Sequence, residues 1–353
     1  MTTQLDHYRL LGRSGLRVSP LSLGTMTFGI EQSWGSSNED AEKIFNLYAE
    51  RGGNFIDTAN FYASGRSESV IAKLVHERRH RFAIATKYSL TMQPGDPNAS
   101  GNHRKNMIRS IEDSLKRLQT DYVDLLYLHM WDYHTPVEEV LRAFDDLVRA
   151  GKVLYVGLSD IPAWQASRMQ AIAELRGWSP LVALQIPYNL TERTVERELI
   201  PMAREMGMGV LPWSPLAGGV LSGKYAQSDL NKPAQKGLGM DSRKDINVAT
   251  GRLNERNLII AAEVGTIAKE MNCTPAQIAL AWTLLNAGVT STILGVRTLA
   301  QLQDNLAALD ITLSAEQQVR LDAVSKIELG FPHDLLTSPA IHSIFGGVKI
   351  ASR

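Results

Sequence analysis

The sequence predicts a closed (β/α)8 barrel, and three features of it carry that prediction. Short apolar runs with β character recur along the chain, a stretch of helical periodicity follows each, and no glycine-rich dinucleotide fingerprint is present. Strands separated by helices of this length pair in parallel through right-handed crossovers. The absent fingerprint disfavours a doubly wound open sheet: Gly207 and Gly209 come nearest to G-x-G-x-x-G, and Pro212 stands where the third glycine belongs.

Ahead of the barrel, residues 8–18 alternate and turn between Gly12 and Gly15, which reads as a β-hairpin able to plug the barrel bottom. The barrel strands are expected over 21–24, 54–57, 82–87, 123–129, 153–158, 181–186, 209–213 and 292–294. The intervening helices are expected over 39–51, 67–79, 104–118, 136–150, 162–175, 194–206, the pair 257–270 and 275–286, and 299–309. Their ends carry ordinary signals: Thr135 and Pro136 open one helix, Glu138 and Glu139 favour its first turn, and Gly151 follows its last residue. A long irregular segment over 226–252 follows the seventh strand, and a loop of that length in a compact domain is usually functional or mobile. A further helix over 314–327 precedes a tail, 328–353, rich enough in Gly, Pro and Ser to lie as a loop across one barrel face. No linker divides the chain, so residues 1–353 are read as one domain.

At 353 residues, with 44% hydrophobic and 21% charged, the chain has the balance of a folded protein with a core. Lys+Arg and Asp+Glu are 37 each, so no overall field draws it to nucleic acid or anionic lipid. The one cysteine, Cys273, cannot form an internal disulfide, and the polar start has no apolar core of a signal peptide. No apolar run approaches the roughly 18 residues a bilayer span needs. A cytoplasmic location is expected, and nothing in the sequence fixes the oligomeric state.

Two motifs look stronger than they are. His76-Glu77-Arg78-Arg79-His80 matches the H-E-x-x-H zinc pattern, but Arg78, Arg79 and Arg81 crowd it with cations at a helix C-terminus, on the barrel end that normally serves stability. No metal is expected. Residues 218–224 have P-loop spacing, but Tyr225 follows where a Mg²⁺-binding Ser or Thr is required. A glycine-rich turn past a strand end still offers backbone N–H groups to a phosphate.

In such a barrel the active site lies at the C-terminal ends of the strands, so polar residues ending different strands converge. Asp57 ends the second strand, Tyr62 lies in the loop after it, Lys87 ends the third and His129 the fourth. Taken singly, each has a plain alternative: a turn-capping Asp, a packing Tyr, a solvated Lys, a satisfied core His. Together they suit proton transfer. Tyr titrates near pH 10, a Lys ammonium beside it would favour the phenolate and lower that value, and Asp57 would hold Lys87 charged. His129 would then orient a carbonyl oxygen beside the Tyr62 hydroxyl.

These residues, in the contexts Asp57-Thr58-Ala59, Ala85-Thr86-Lys87 and Asp124-Leu125-Leu126-Tyr127-Leu128-His129, resemble the catalytic tetrad of the aldo-keto reductases. The resemblance runs along nearly the whole chain, through Gly157-Leu158-Ser159-Asp160, Gln185-Ile186-Pro187-Tyr188-Asn189, Trp213-Ser214-Pro215-Leu216-Ala217-Gly218-Gly219 and Gly295-Val296-Arg297. It implies an NADPH-dependent carbonyl reductase whose cofactor lies extended across the strand ends, with Asp57, Tyr62, Lys87 and His129 as tetrad. Ser159, Asp160 and Gln185 then match the nicotinamide carboxamide contacts, and Trp213 the aromatic that stacks on the ring. Ser214, Pro215, Leu216, Ala217 and Gly218 match the pyrophosphate loop, with Lys224 just beyond it. Gln301, Asp304 and Asn305 match the adenine contacts, Thr25 and Met26 match positions beside the nicotinamide ribose, and Asp57 is also a cofactor contact by the same resemblance. Gly295 and Arg297 follow the eighth strand, where Arg297 would grip a ribose 2′-phosphate and set a preference for NADPH over NADH. Arg243, in the long seventh loop, resembles a residue folding over the cofactor, with a solvated cation as its alternative.

Two departures stand out. The residue after Ser159 is often Asn in that family and is Asp160 here, which removes an amide donor unless the acid is protonated. The stacking aromatic is often Tyr; Trp213 keeps the π-face and resembles the branch holding aryl-alcohol-dehydrogenase-like enzymes and potassium-channel β subunits. The second member of that branch leaves an alternative open, a nicotinamide-binding regulatory protein with little turnover. Phe28, Trp34, Tyr88 and Trp131, with the long loop, are candidate walls of an apolar pocket suited to aromatic or bulky hydrophobic carbonyls, with simple packing as the alternative.

Overall fold

The computed structural model describes residues 4–30, 35–230 and 243–348. Trp34 and residues 231–242 of the long seventh loop fall outside the described residues, as does the side chain of Arg243. A two-stranded antiparallel hairpin, β1 (Arg9–Leu10) and β2 (Arg17–Val18), leads into eight parallel strands. These are β3 (Leu21–Gly24), β4 (Phe55–Asp57), β5 (Ala83–Tyr88), β6 (Val123–Leu128), β7 (Val153–Ser159), β8 (Leu181–Pro187), β9 (Gly209–Trp213) and β10 (Thr292–Gly295). They lie side by side in chain order, with β10 against β3. The ring closes at Val289, just ahead of β10, which bridges in parallel to Val210 of β9. The fold is the expected (β/α)8 barrel.

Around it run α1 (Asn38–Glu50), α2 (Arg66–Val75), α3 (Arg104–Leu118), α4 (Val137–Arg149), α5 (Ala163–Arg176), α6 (Leu199–Glu205), α7 (Arg243–Ala249), α8 (Glu255–Glu270), α9 (Pro275–Leu285), α10 (Leu299–Leu306) and α11 (Ala315–Ser325). The helix expected over 194–206 is broken into a 3-10 turn, Thr194–Glu196, and α6. Pro201 gives the reason: restarting at Leu199 leaves the missing N–H in the first turn, where no intrahelical partner is needed. The tail expected as loop instead carries two short helices, His333–Leu336 and Pro339–Ile344. Among the described residues, no helix is long and apolar enough to cross a membrane.

The two faces of each strand have different destinations. Outward side chains join the helices in a large apolar layer, and inward ones form a second cluster of Phe55, Ala83, Ala85, Leu125, Tyr127, Val182, Ala183 and Leu211. Leu11 and Val18 of the hairpin belong to this inner cluster, and the Arg13 N–H donates to the Gly207 carbonyl at 2.8 Å. The hairpin therefore closes the N-terminal end. Gly12 permits the approach: its φ is +55°, and a Cβ there would strike the carbonyl oxygens of Val182 and Gly207.

Candidate active site

Side chains two apart on a strand share a face, so the inward rows can be followed to the open end of the barrel. Phe55 leads to Asp57 on β4, and Ala83 and Ala85 lead to Lys87 on β5. Leu125 and Tyr127 lead to His129, which extends β6 by donating its backbone N–H to the Tyr88 carbonyl at 3.0 Å. Ala183 leads to Gln185 and Leu211 to Trp213. Each row is apolar below and polar at its end.

Lys87 is fully buried and its Nζ makes three bonds. It donates to Asp57 Oδ2 at 2.7 Å, to the Thr58 carbonyl at 2.8 Å and to the Tyr62 hydroxyl at 3.1 Å. Gln185 Nε2 donates to the other Asp57 oxygen, Oδ1, at 2.7 Å, so both carboxylate oxygens are engaged. Tyr62 reaches the lysine from a short 3-10 turn, Tyr62–Gly65, in which Ala63 and Ser64 take left-handed conformations. The His129 ring meets the Tyr62 ring edge-on, with centroids 6.0 Å apart and planes at 82°. Four side chains, from three strand ends and one loop, thus meet: Asp57 and Tyr62 on the Lys87 ammonium, and His129 on the Tyr62 ring.

Burial is the largest influence on Tyr62 and raises its pKa; Lys87 opposes this, while Asp57 and Asp160 add to it. The net shift is upward. Lys87 was expected to lower the tyrosine below its ordinary value; its pull is present, but desolvation of the phenol outweighs it. Lys87 itself is penalised by burial, yet Asp57 and Tyr62 more than offset this and hold the ammonium charged. His129 is pushed down to about 3, first by burial and then by the Lys87 charge, and its Nδ1 is buried without a hydrogen-bond partner. The imidazole is neutral at physiological pH. A rate profile measured between about pH 5 and 8 should accordingly show no limb near the ordinary histidine value of about 6.5.

The remaining candidates fall into groups. Ser159, nearly fully buried, ends β7, and Asp160 follows with φ 40° and accepts a bond from Trp213 Nε1 at 3.2 Å. Thr25 is buried, its hydroxyl donating to the Asp57 carbonyl at 2.9 Å, while Met26 beside it is exposed. After β9 comes a cradle. Ser214, Ala217, Gly218 and Gly219 all have positive φ, and the N–H groups expected to face a phosphate are bonded within the turn: Ala217 donates to the Ser214 carbonyl at 2.9 Å, Gly218 to Ser214 Oγ at 3.2 Å and Gly219 to the Leu216 carbonyl at 2.8 Å. The Asn189 amide fixes this turn by donating to the Ser214 carbonyl at 3.0 Å, and Asn247 of α7 by donating to that of Gly218 at 3.0 Å. A Cβ on Gly218 would strike Asn247 Oδ1, and one on Gly219 would stand 2.6 Å from Lys224 Nζ. Pro215 and Leu216 lie within the same turn.

At the end of β10, Gly295 is exposed and Arg297 half-buried, and the Arg297 backbone N–H donates to Gln301 Oε1 at 2.9 Å. Asn305 is buried. Asp304 is engaged within the fold, where its two oxygens accept from Thr274 Oγ1 at 3.0 Å and Gln277 Nε2 at 2.8 Å and tie α10 to the start of α9.

Of the expected apolar wall, Phe28 and Tyr88 are fully buried in the outer core, the Tyr88 hydroxyl donating to the Asn102 carbonyl, and Trp131 is nearly buried. Packing claims all three. Exposed apolar side chains close in sequence to the strand ends include instead Phe61 beside Tyr62, Met130 beside His129, Tyr133 and Met26. Their chain proximity to strand-end polar residues was the available signal.

The H-E-x-x-H stretch does not continue α2. It forms a 3-10 turn kinked at Arg78 (φ −141°), so the one-turn helical spacing that would bring His76 and His80 to one ion is broken. Arg79 donates to Asp124 Oδ2 at 2.8 Å and to the Tyr122 carbonyl, and Arg81 to the Ala49 carbonyl. Among the described residues no cluster of three His, Cys, Asp or Glu could hold a metal. Exhaustive chelation should leave activity intact and His76→Ala should be nearly silent; stoichiometric zinc, with loss of activity on its removal, would overturn this.

Comparison with known proteins agrees with this architecture. The family model described as Aldo/keto reductase family matches residues 20–326. A norsolorinic acid reductase of Aspergillus flavus is 35% identical over 345 residues, covering 95% of this chain and 85% of the reductase. The uncharacterized oxidoreductase YrpG of Bacillus subtilis is 39% identical over 322 residues, covering 88% of this chain and 93% of its own. An aryl-alcohol dehydrogenase [NADP(+)] of Phanerodontia chrysosporium is 34% identical over 358 residues, covering 97% of this chain and 92% of its own. A barrel with this strand order, a family match along most of its length and relatives of this coverage lead to one conclusion: the chain belongs to the aldo/keto reductase family, oxidoreductases that act on carbonyl groups.

Proposed function

We propose that this protein reduces aldehydes or ketones to alcohols with NADPH, Tyr62 giving the proton to the carbonyl oxygen. The observation that carries the reading is the bonded set of Asp57, Lys87 and Tyr62 at the strand ends, with a neutral His129 against the phenol. When bound, the reduced nicotinamide supplies a hydride to the carbonyl carbon. Everything else falls to the chain. Tyr62 keeps its proton until negative charge develops on the substrate oxygen, and Lys87 then steadies the phenolate left behind. Asp57 keeps Lys87 charged, and Gln185 keeps Asp57 in place. His129, neutral, offers an N–H to the same oxygen.

The residues present fit a nicotinamide dinucleotide. Gln185 has its amide nitrogen engaged with Asp57, so its Oε1 is the end free to accept from a carboxamide, and the Ser159 hydroxyl can donate to one. Asp160 then serves as an acceptor rather than the donor an asparagine would provide. The turn after β9 is the segment that resembles a pyrophosphate loop, and Trp213 offers a flat face for the ring. The name of the Phanerodontia relative includes NADP(+), which agrees with this assignment. Exposed Phe61, Met130 and Tyr133 favour aromatic or bulky hydrophobic carbonyls.

Arg297 is the basis of the NADPH preference. No acidic side chain forms an ion pair with it among the described residues, and it stands just before α10, whose N-cap is Thr298. A ribose 2′-phosphate there would gain a charge-assisted, two-pronged contact. Arg297→Ala should remove about 1.5–3 kcal/mol, weakening NADPH by about one to two orders of magnitude and NADH hardly at all. Dissociation constants for both cofactors, at fixed salt, check this; equal losses would mean that Arg297 acts through structure. The function itself is tested by a carbonyl panel followed by NADPH consumption. Tight NADPH binding without turnover of any carbonyl would favour a nicotinamide-binding regulatory protein.

A further inference from the structure

Asp160 is a carboxylate where the chemistry of a carboxamide does not require one. It follows β7 directly, its carbonyl accepts the Trp131 backbone N–H at 3.3 Å, and its side chain turns inward so that Oδ1 meets the Trp213 indole N–H at 3.2 Å. Lys87, the ammonium of the site, is bonded to Asp57 and forms no ion pair with Asp160. Arg252 approaches the indole over its face, with the guanidinium carbon 5.6 Å from the ring centroid, and it too makes no ion pair with Asp160. Asp160 and Asp57 are thus two carboxylates around one lysine, and one of them has no cation of its own among the described residues.

The two redox forms of nicotinamide differ in charge at the ring. The oxidised ring carries a positive charge and the reduced ring is neutral, so a fixed carboxylate nearby attracts one form and not the other. A hydrogen bond from a carboxamide to Asp160 would be equally available in both forms and could not discriminate between them. We infer that Asp160, held by the Trp213 N–H, is the counter-charge of the oxidised nicotinamide ring and sets how strongly the protein prefers the oxidised over the reduced cofactor. This rests on the reading that the ring stacks on Trp213. Asp160 is then a specificity-determining residue for the redox state of the bound cofactor, a role that an asparagine in its place would not have.

The test is calorimetric titration of the full chain with NADP⁺ and NADPH separately, in the parent and in two variants, reading the ratio of the two dissociation constants. Asp160→Asn suits the site: asparagine tolerates φ 40°, its amide oxygen can still accept the indole N–H, and the amide donor it adds acts equally on both cofactor forms, so the ratio reads the lost charge. NADP⁺ should weaken by roughly tenfold relative to NADPH, the effect of one charge at short range in a partly screened site. Trp213→Phe keeps a stacking ring but releases the carboxylate, and should shift the ratio in the same direction by a smaller factor. Equal losses for the two forms, or an unchanged ratio in Asp160→Asn, would overturn the inference while leaving the cofactor assignment standing. A parent that binds neither form would remove both together.

Discussion

Tyr62→Phe should lower turnover by roughly 10²–10⁴-fold, the loss expected when a general acid is removed, while NADPH binds nearly as before. The ring and its edge contact with His129 remain, and Lys87 keeps its bonds to Asp57 and the Thr58 carbonyl. The fold has little reason to change: one hydrogen bond out of three at the ammonium is lost, worth about 1 kcal/mol net. Single-turnover rates and a cofactor titration on the same preparation separate the two effects. Near-normal turnover would remove Tyr62 from its assigned role.

Lys87→Met has a larger reach, because the lysine is both a tuner and a structural partner. It is fully buried against Asp57, so its removal leaves a carboxylate in the barrel mouth with Gln185 as its remaining side-chain partner. Breaking such a pair from one side costs about 3–5 kcal/mol, and a clear drop in melting temperature should accompany the substitution. Turnover should fall by roughly two orders of magnitude or more. The sign of the pH effect follows from the charges. Lys87 pulls the tyrosine down against burial, Asp57 and Asp160, so without it the pKa of Tyr62 climbs further. The limb at which the protonated phenol is lost should move to higher pH. An unmoved profile of the residual activity would show that Lys87 does not tune Tyr62.

The barrel was legible because its strands obey a period of two and its helices open and close with ordinary signals. Leu21–Gly24 and Gly209–Trp213 appear where the sequence places them, and α3 spans Arg104–Leu118 as expected. What the sequence hid were effects of packing and conformation. Pro201 breaks the helix expected over 194–206, because its missing N–H has to lie in a first turn, and nothing about Arg78 signals the kink that breaks the spacing of His76 and His80. Strand-end position led to Asp57, Lys87 and His129, since a polar residue ending an inward apolar row is visible in one dimension. It could not say that burial outweighs the lysine at Tyr62, which depends on how much of the phenol is shielded. Nor could it pair Asp160 with Trp213, 53 residues away, or separate the buried Phe28 and Tyr88 from the exposed Phe61 and Met130.

The central claim is hydride transfer to a carbonyl at this site, and isotope transfer tests it most directly. NADPH carrying deuterium at its transferable position, incubated with the protein and an aromatic aldehyde, should yield an alcohol with one deuterium on the carbinol carbon, formed in step with NADPH loss. The product should vanish with Tyr62→Phe on the same timescale. An alcohol without the label, or bound NADPH that no aldehyde or ketone consumes, would contradict it.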